Sequence, residues 1–520
     1  MAEKMEDPLA FIIVGGGIAG VSCAEMLSSL CPEVNILLVT ASPIIKAITN
    51  YKKISKTLEE FDVEERPWMS VQQDCPNVKV IQTEATALDA EAHMLTVQEG
   101  QTFRYKQLCI CSGGRPKVIA KDNPYVLGIR DTQSVKEFQK HLHNARRIMV
   151  IGNGGIATEL VYEVEGCEVI WAIKDKSISS AFVDAGAAEF FLPQLNSDKD
   201  EGNKPSKRLK YTTEDNTLKV EPKEETFGGA LGPDWSTKEE TFGGALGPDW
   251  STKEETFGGA LGPDWSTNLK MTGQQEISHQ VHVEYRVEVK VIHTAEDFVA
   301  KEMTEATLPG FTHDRWPVYV ELTNGQVYGC DFVVSATGVV PNTSPFITGN
   351  QFALSADGGM LVNEKMETSV ADIYAAGDVC SANWTPSPHW IQMRLWTQAR
   401  QMGAYSAQCM VAKAKDELIS LDFCFEMFAH VTKFFGLKVI LLGKFNAQGL
   451  EGDHELLLRM TKGKEYIKAV LKDGTMHGAI LIGETDLEET FENLILNQID
   501  LTPFKDDLLD PNIDLEDFFD

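Results

Sequence analysis

The sequence contains no cysteines at the spacing of a zinc site. Its ten cysteines are scattered along 520 residues, and in a reducing compartment most such thiols are buried side chains. The pattern therefore indicates no zinc site, and we predict no metal centre.

Long apolar runs and an excess of positive charge are also missing. The N-terminal Glu3, Glu6 and Asp7 precede an apolar run broken by three glycines, which fits neither a signal peptide nor a membrane span. The 47 Lys and Arg residues face 77 Asp and Glu residues, and the net charge of -30 repels nucleic-acid phosphates and anionic lipids. We expect a multi-domain protein of cytoplasm and nucleus, without direct contacts to nucleic acid or membrane.

A glycine turn follows the first apolar segment. Over residues 11–27 a predicted buried strand leads through the string GGGIAG into a predicted helix. In such a unit Gly15 permits the tight turn, Gly17 lets the backbone approach a pyrophosphate, and Gly20 lets the helix pack on the strand. With Gly16 between them, these glycines form a predicted dinucleotide site.

The strand predicted next, at 36–39, ends without the acidic residue that normally holds the ribose hydroxyls in such a site. Thr40 and Ser42 stand there instead, and either one offers only a neutral hydrogen bond. Adenosine recognition is weakened, but phosphate binding is not, because the two parts of the site are separate.

The same signature recurs farther along the chain. A strand is predicted at 147–151, the string GNGGIA follows, and a helix is predicted over 158–165. Gly152 and Gly154, with Gly155 and Glu159, therefore shape a second predicted dinucleotide site.

The strand predicted after this second turn, at 169–173, ends in cations rather than in an acid. Lys174 and Lys176 suit the 2′-phosphate of NADPH, although exposed lysines are often simply solvated. The choice between NADH and NADPH therefore stays open.

A third set of signals lies at other strand ends. Residues 372–379 read DIYAAGDV, and two further buried strands run into glycine bends at Ser112-Gly113 and at Gly338. Together with the two turns, these segments resemble the class I pyridine nucleotide-disulphide oxidoreductase family over roughly residues 8–170 and 280–410. Each motif alone is a moderately specific sign of this family, and together they are a strong one.

That resemblance implies an FAD domain interrupted by an inserted NAD(P)H domain. It places the Asp378 carboxylate on FAD, with Gly377 allowing a close approach, and puts Ser112, Gly113 and Gly338 beside the cofactors. We predict an α/β protein with two nested Rossmann-like dinucleotide-binding domains, for FAD and NAD(P)H, plus a small α+β C-terminal domain. The predicted boundaries are 1–120 and 318–410 for the FAD domain, 121–317 for the insertion, 411–505 for the C-terminal domain and 506–520 for an acidic tail.

The close cysteine pair of the disulphide reductases in that family is not evident. Cys109 and Cys111 face the same side of a strand and can pair only under strain, so core thiols are the favoured interpretation. Related flavin reductases that use another acceptor place a lysine near the flavin. Lys46 is either that catalytic cation or a solvated loop residue.

The C-terminal third resembles one branch of the family in its helix at 393–403, in the string ILIGETDLEETF and in its tail. For that branch the resemblance implies an FAD-containing, NAD(P)H-oxidising protein of cytoplasm and nucleus. It also implies links to the oxidative stress response, to the muscle sarcomere and its integrity, and to protection of the tRNA ligase complex. The electron acceptor, a protein or a small molecule, and the oligomeric state stay open.

Three segments carry weaker signals. Residues 223–267 are three identical copies of KEETFGGALGPDWST, which predict a mobile loop over about 196–275. Its aromatic residues either dock a partner or reflect a duplication without function. The acidic tail either docks on protein or is a solvated terminus, with the latter favoured. His430, ahead of an apolar stretch, is predicted to be a packed histidine.

Two functions fit these observations. The first is an FAD-dependent NAD(P)H oxidoreductase that passes a hydride to flavin and electrons to an unidentified acceptor. The alternative is a flavin-bound, redox-responsive scaffold with little turnover, which the missing ribose acid and the absent internal acceptor favour.

Overall fold

The computed structural model describes residues 9–129, 132–196, 271–274, 277, 280–312, 314–450, 454–511, 513 and 515. The predicted repeat loop lies outside these residues except at its two ends. Within them, no helix combines the length and apolar character needed to cross a bilayer, and no cluster of metal-ligating side chains occurs.

The N-terminal part forms a sheet whose central strands are parallel and buried on both faces. The strand order is β5-β2-β1-β8-β7-β6, with β3 and β4 forming a separate antiparallel hairpin. Every residue of β2 is buried, as expected for a strand covered on both sides. The elements are β1 (Leu9–Val14), α1 (Ile18–Leu30), β2 (Ile36–Thr40), β3 (Ile44–Lys53), β4 (Glu59–Pro67), α2 (Ser70–Asp74), β5 (Val78–Gln82), β6 (Ala85–Asp89), β7 (Met94–Val97), β8 (Thr102–Ile110) and β9 (Gly114–Pro116).

A second parallel sheet follows in the order β10-β17-β11-β12-β13, and an antiparallel sheet β14-β15-β16 accompanies it. Helix α4 begins earlier and ends earlier than the predicted 158–165. The elements are β10 (Val126–Gly128), α3 (Thr132–Leu142), β11 (Arg147–Ile151), α4 (Gly155–Glu163), β12 (Glu168–Ile173), α5 (Ala185–Phe191), β13 (Gln280–Tyr285), β14 (Val289–Thr294), α6 (Ala295–Ala300), β15 (Val318–Leu322), β16 (Val327–Cys330) and β17 (Phe332–Ser335).

The end of this second unit differs from the predicted boundary at 317. Strand β17 lies between β10 and β11 in the second sheet, with Val334 opposite Val150. A buried parallel strand has the same apolar sequence whichever sheet it completes, so the sequence alone placed β15 to β17 in the wrong unit.

The chain then returns to the first sheet. Strand β20 pairs in parallel with the end of β8, Tyr374 lying opposite Cys109. Helix α8 packs on α1 and continues well beyond the predicted end at residue 403. The elements are β18 (Val339–Pro341), α7 (Ser344–Ile347), β19 (Met360–Val362), β20 (Ile373–Ala375), β21 (Cys380–Ala382) and α8 (Trp396–Lys415).

The C-terminal part is an antiparallel sheet in the order β22-β23-β26-β25-β24, with one helix packed on it. The predicted hairpin turn at 472–475 is confirmed. Asp473 (φ 52°) and Gly474 (φ 81°) are both left-handed, as a two-residue type I′ turn requires. The elements are β22 (Ala429–Phe434), β23 (Leu437–Gly443), β24 (Glu455–Thr461), β25 (Glu465–Lys472), β26 (Thr475–Ile482) and α9 (Glu488–Asn497).

The tail docks on this C-terminal sheet. Leu508 is 1% exposed and Leu515 is 5% exposed, and both belong to the core that α9 covers. The favoured prediction of a solvated terminus is therefore wrong for these residues. The many acidic residues of the tail made its few apolar side chains easy to overlook. Residues 516–520 lie outside the described part of the chain.

His430 is a packed histidine, as predicted. It is 0% exposed on β22, and its Nδ1 lies 3.1 Å from the Thr397 hydroxyl. Burial lowers the pKa of His430 to about 3, because a charged imidazole loses its hydration there.

This histidine predicts a specific loss of stability in acid. In the unfolded chain this histidine binds a proton below about pH 6.5, whereas in the folded protein it stays neutral until the pH approaches 3. The free energy of unfolding therefore falls as the pH falls through that window. We expect the His430→Gln variant to show a slope shallower by about 1.2 kcal/mol per pH unit between pH 6 and 5. Urea unfolding at both pH values measures it, and parallel slopes in variant and parent would contradict it.

Candidate cofactor-binding sites

Three glycines of the first turn occupy positions where no side chain fits. Gly15 has φ +125°, and a Cβ there would lie 2.1 Å from the carbonyl oxygen of Cys111. A Cβ on Gly20 would lie 1.9 Å from the Gly15 oxygen, and one on Gly16 would lie 2.4 Å from the Thr40 hydroxyl. These contacts pack the turn against the backbone that follows β8, against the start of α1 and against the Thr40 side chain at the end of β2.

Gly17 differs, because nothing lies within 4 Å of the Cβ position there. It is the N-cap residue of α1, and no side chain caps the helix. The first N–H groups of a helix need partners, and the helix dipole favours an anion at that end. The open cradle at Gly17 therefore fits a pyrophosphate.

The Gly377–Asp378 segment lies against the same helix. Gly377 has φ +79°, and a Cβ there would lie 2.9 Å from the Cβ of Ala19. Asp378 is 7% exposed, and its backbone oxygen accepts a hydrogen bond from Arg394 Nε at 2.9 Å. The structure thus brings Asp378 to the N-terminal end of α1, where the resemblance expects FAD.

The second turn repeats the geometry of the first. Gly152 has φ +127°, and a Cβ there would lie 2.2 Å from the Ala336 oxygen. Gly154 is the uncapped N-cap residue of α4, and nothing lies within 4 Å of its Cβ position. Gly155 begins the helix. This cradle also fits a pyrophosphate.

Beside the second turn lies an acid that the sequence analysis missed. Asn153 Nδ2 donates to Asp175 Oδ2 at 2.8 Å and to Ser180 Oγ at 2.9 Å, so Asn153 ties the glycine turn to the loop after β12. Lys174 is exposed beside it. The sequence does contain a signal for this contact, the polar Asn153 inside GNGGIA. Its partners become visible only when the loop after β12 folds back onto the turn.

The hydroxyls at the end of β2 are engaged within their own turn. Thr40 is 1% exposed, and its hydroxyl donates to the Ser42 oxygen at 3.2 Å. Ser42 Oγ accepts from Ile44 N at 3.1 Å. A role of Thr40 in ribose binding stays a prediction.

The two predicted glycine bends are held together where the chain crosses between the sheets. Ser112 Oγ donates to the Asn342 oxygen at 2.8 Å, and Asn342 Nδ2 donates to the Ser112 oxygen at 3.1 Å. Strands β9 and β18 pair antiparallel directly beyond these contacts. Gly113 (φ +65°) and Gly338 (φ +98°) have open space at their Cβ positions.

Lys46 lies in β3 and not in a loop. It is 3% exposed, and its Nζ lies 2.5 Å from Glu65 Oε1 on the paired strand β4. The solvated-loop alternative is therefore wrong. The sequence concealed the strand because the residue that pairs with Lys46, Glu65, lies 19 residues farther along the chain. Glu159 is half-buried in α4, just after the second turn.

The cysteines of the first core are close together but buried. The Cys109 and Cys111 sulfurs lie 3.5 Å apart, and Cys111 is 4% exposed. The hydrogen bond to Cys109 and burial together raise the pKa of Cys111, and burial raises the pKa of Cys380 to about 12. All ten cysteines lie in the described part of the chain as free thiols.

Comparison with known proteins agrees with this geometry. A family model described as "Pyridine nucleotide-disulphide oxidoreductase" matches residues 9–185 and 272–403, and one described as "Rubredoxin NAD+ reductase C-terminal domain" matches 429–499. The chain is 55% identical to Pyridine nucleotide-disulfide oxidoreductase domain-containing protein 1 of Mus musculus, with 98% of each chain covered.

Solved structures share the architecture at low identity. Reduced CoADR-RHD of Bacillus anthracis is similar with a TM-score of 0.62 and 17% identity, over 95% of this chain and 75% of that one. The covalent putidaredoxin reductase–putidaredoxin complex is similar with a TM-score of 0.58 and 13% identity, over 95% and 94%. The predicted α/β fold, with two dinucleotide-binding units and a small C-terminal domain, is confirmed.

Proposed function

Because the chain belongs to the pyridine nucleotide-disulphide oxidoreductase family and uses FAD and NAD(P)H, we propose that a hydride passes from nicotinamide to flavin and that the electrons then leave to an acceptor outside the chain. FAD supplies the two-electron chemistry when bound. The observation that carries the proposal is the pair of uncapped helix N-termini at Gly17 and Gly154, each open at its Cβ position.

The chain's own residues bind and orient the two cofactors. Gly17 and the N-terminus of α1 would hold the pyrophosphate of FAD, and Gly154 with the N-terminus of α4 would hold that of NAD(P)H. Asp378, beside the N-terminal end of α1, would bind the ribityl side of FAD. Asp175 suits the hydroxyls of the NADH ribose, whereas Lys174 suits the 2′-phosphate of NADPH.

An external acceptor is supported by the state of the thiols. Cys109 and Cys111, whose sulfurs lie 3.5 Å apart, are buried in the first core, and a dithiol relay needs an accessible thiolate. One similar structure is a reductase bound to the protein putidaredoxin. We therefore propose a protein acceptor.

The cellular setting is also a proposal. The resemblance supports residence in cytoplasm and nucleus, action in the oxidative stress response, a role in muscle sarcomere integrity and protection of the tRNA ligase complex. The contact with that complex would be between proteins, since the net charge of -30 disfavours direct nucleic-acid binding.

Anaerobic stopped-flow absorbance tests the oxidoreductase. The purified protein is mixed with NADH or NADPH and then with oxygen or candidate acceptor proteins. Repeated bleaching and return of the flavin band supports the proposal, and the faster donor shows whether Asp175 or Lys174 dominates. A single bleaching with a long-lived reduced state favours the redox-responsive scaffold, which the missing ribose acid, the engaged hydroxyl of Thr40 and the absent internal acceptor support.

The ion pair of the buried Lys46 and the exposed Glu65 predicts opposite changes in flavin potential. If Lys46 stabilises the negative charge that reduction places on the flavin, we expect Lys46→Met to lower the midpoint potential by about 30 mV, which is about 1.4 kcal/mol for two electrons. Glu65→Gln removes the carboxylate beside Lys46 and should raise the potential. A spectroelectrochemical titration measures both, and unchanged potentials would assign the pair a structural role.

A further inference from the structure

A cavity separate from both glycine turns lies between α1, the β3–β4 hairpin and α8. Its volume is about 490 Å³, a size typical of small-molecule sites. Its lining includes no residue of either glycine turn, of the Gly377–Val379 segment or of the pair of Lys46 and Glu65. The cavity is therefore a third concave site, independent of the two cofactor cradles.

The floor of the cavity is one face of α8. Gln401, Ala404 and Gln408 follow at helical spacing and all line it. Gln401 is only 8% exposed, yet its amide makes no hydrogen bond to any described residue. Gln401 lines the cavity, and its amide offers a ligand both a donor and an acceptor.

Two aromatic rings line the cavity and remain about half exposed. Tyr51 is 45% exposed and Phe423 is 49% exposed. The Arg400 guanidinium lies 4.2 Å from the centroid of the Tyr51 ring, and Arg400 Nη1 is held by Glu59 at 2.7 Å. The Tyr51 ring is held by this contact, and half-exposed rings such as those of Tyr51 and Phe423 are suited to stacking on a planar ligand.

The charge left over at the cavity is positive. Glu59 is paired with Arg400, and the Asp422 carboxylate, which accepts a hydrogen bond from Cys424 N at 2.9 Å, offsets one of the two lysines that remain in the lining. Lys53 and Lys56 also line the cavity, and among the residues the structure describes neither forms an ion pair with a carboxylate, although Lys56 Nζ donates to Asn493 Oδ1 at 3.1 Å. Two such lysines in a chain with a net charge of -30 favour an anionic ligand.

We propose that this cavity binds a mononucleotide, with its phosphate on Lys53 and Lys56, its base stacked on Tyr51 and Phe423, and its base edge on Gln401 and Gln408. A glutamine amide both donates and accepts, so it matches the edge of any nucleobase. Lysine binds phosphate as a point charge.

Isothermal titration calorimetry on the FAD-loaded protein tests the proposal. Saturating NAD⁺ first occupies the second glycine turn, and AMP, GMP, CMP and UMP are then titrated separately. We expect saturable binding of at least one of them, and about tenfold weaker binding of the matching nucleoside that lacks the phosphate. No saturable binding of any of the four would overturn the proposal.

Three variants localise the binding. Lys53→Ala and Gln401→Leu should each weaken it about tenfold, whereas Lys52→Ala, an equal charge change outside the lining, should leave it unchanged. If Gln401→Leu loses its FAD, Phe423→Ala, at an exposed position, replaces it as the test of mononucleotide binding. Equal affinity in Lys53→Ala and the parent, or competition by inorganic phosphate as strong as that by the mononucleotide, would contradict the assignment.

Discussion

Replacing Gly17 by Asp is expected to give a folded protein that no longer holds FAD. Gly17 has φ -78° and ψ -178°, which any residue adopts, and open space surrounds its Cβ position. Aspartate is a favoured N-cap residue, so α1 should gain a few tenths of a kcal/mol. Its carboxylate would take the N–H groups that the pyrophosphate needs and would repel the anion.

The expected loss of FAD affinity in Gly17→Asp is at least about a hundredfold, because two or more hydrogen bonds to a charged group are removed. Flavin absorbance per mole of purified protein measures it, and circular dichroism reports the fold. Stoichiometric FAD in this variant would show that the first turn does not carry the flavin.

The matching substitution at the second turn should separate the two cofactors. Gly154 is likewise the uncapped N-cap of its helix, with open space at its Cβ position. Gly154→Asp is therefore expected to retain FAD, while the rate of flavin reduction by NADH or NADPH falls at least about a hundredfold. Each variant is the control for the other, since both add the same charge to an equivalent turn.

Chemical reduction distinguishes a lost donor site from a damaged flavin site. Dithionite should reduce the flavin of Gly154→Asp as fully as that of the parent protein, because it does not use the second turn. If NADH and NADPH also reduce the variant at the parental rate, the nicotinamide cofactor binds elsewhere.

The two turns were predictable from the sequence because their physics is local. A buried strand, glycines at fixed spacing and a helix determine the geometry of Gly15 to Gly20 within one short segment. The C-terminal strands and the hairpin turn at Asp473 were predictable for the same reason, since alternation and left-handed turn residues act between neighbours.

The missed features depend on residues distant in sequence. Lys46 reads as a loop residue until β4 brings Glu65 beside it. Asp175 reads as a surface acid until Asn153 holds it against the second turn. Strand β17 belongs to the second sheet because it pairs with β10 and β11. The sequence of the strand itself does not indicate these partners.

The antiparallel pairing of β9 with β18 also bears on the order in which the chain folds during synthesis. Lys117 N donates to the Gly338 oxygen at 2.9 Å, so the segment between them begins and ends at one point. The parallel sheet of this inner segment is complete once β17 has been synthesised. At that point β20, which pairs with the end of β8, has not yet been made. Vectorial synthesis therefore favours the inner unit folding first. A chain that terminates between β17 and β20 would carry a finished inner unit on a sheet with an unpaired, aggregation-prone edge.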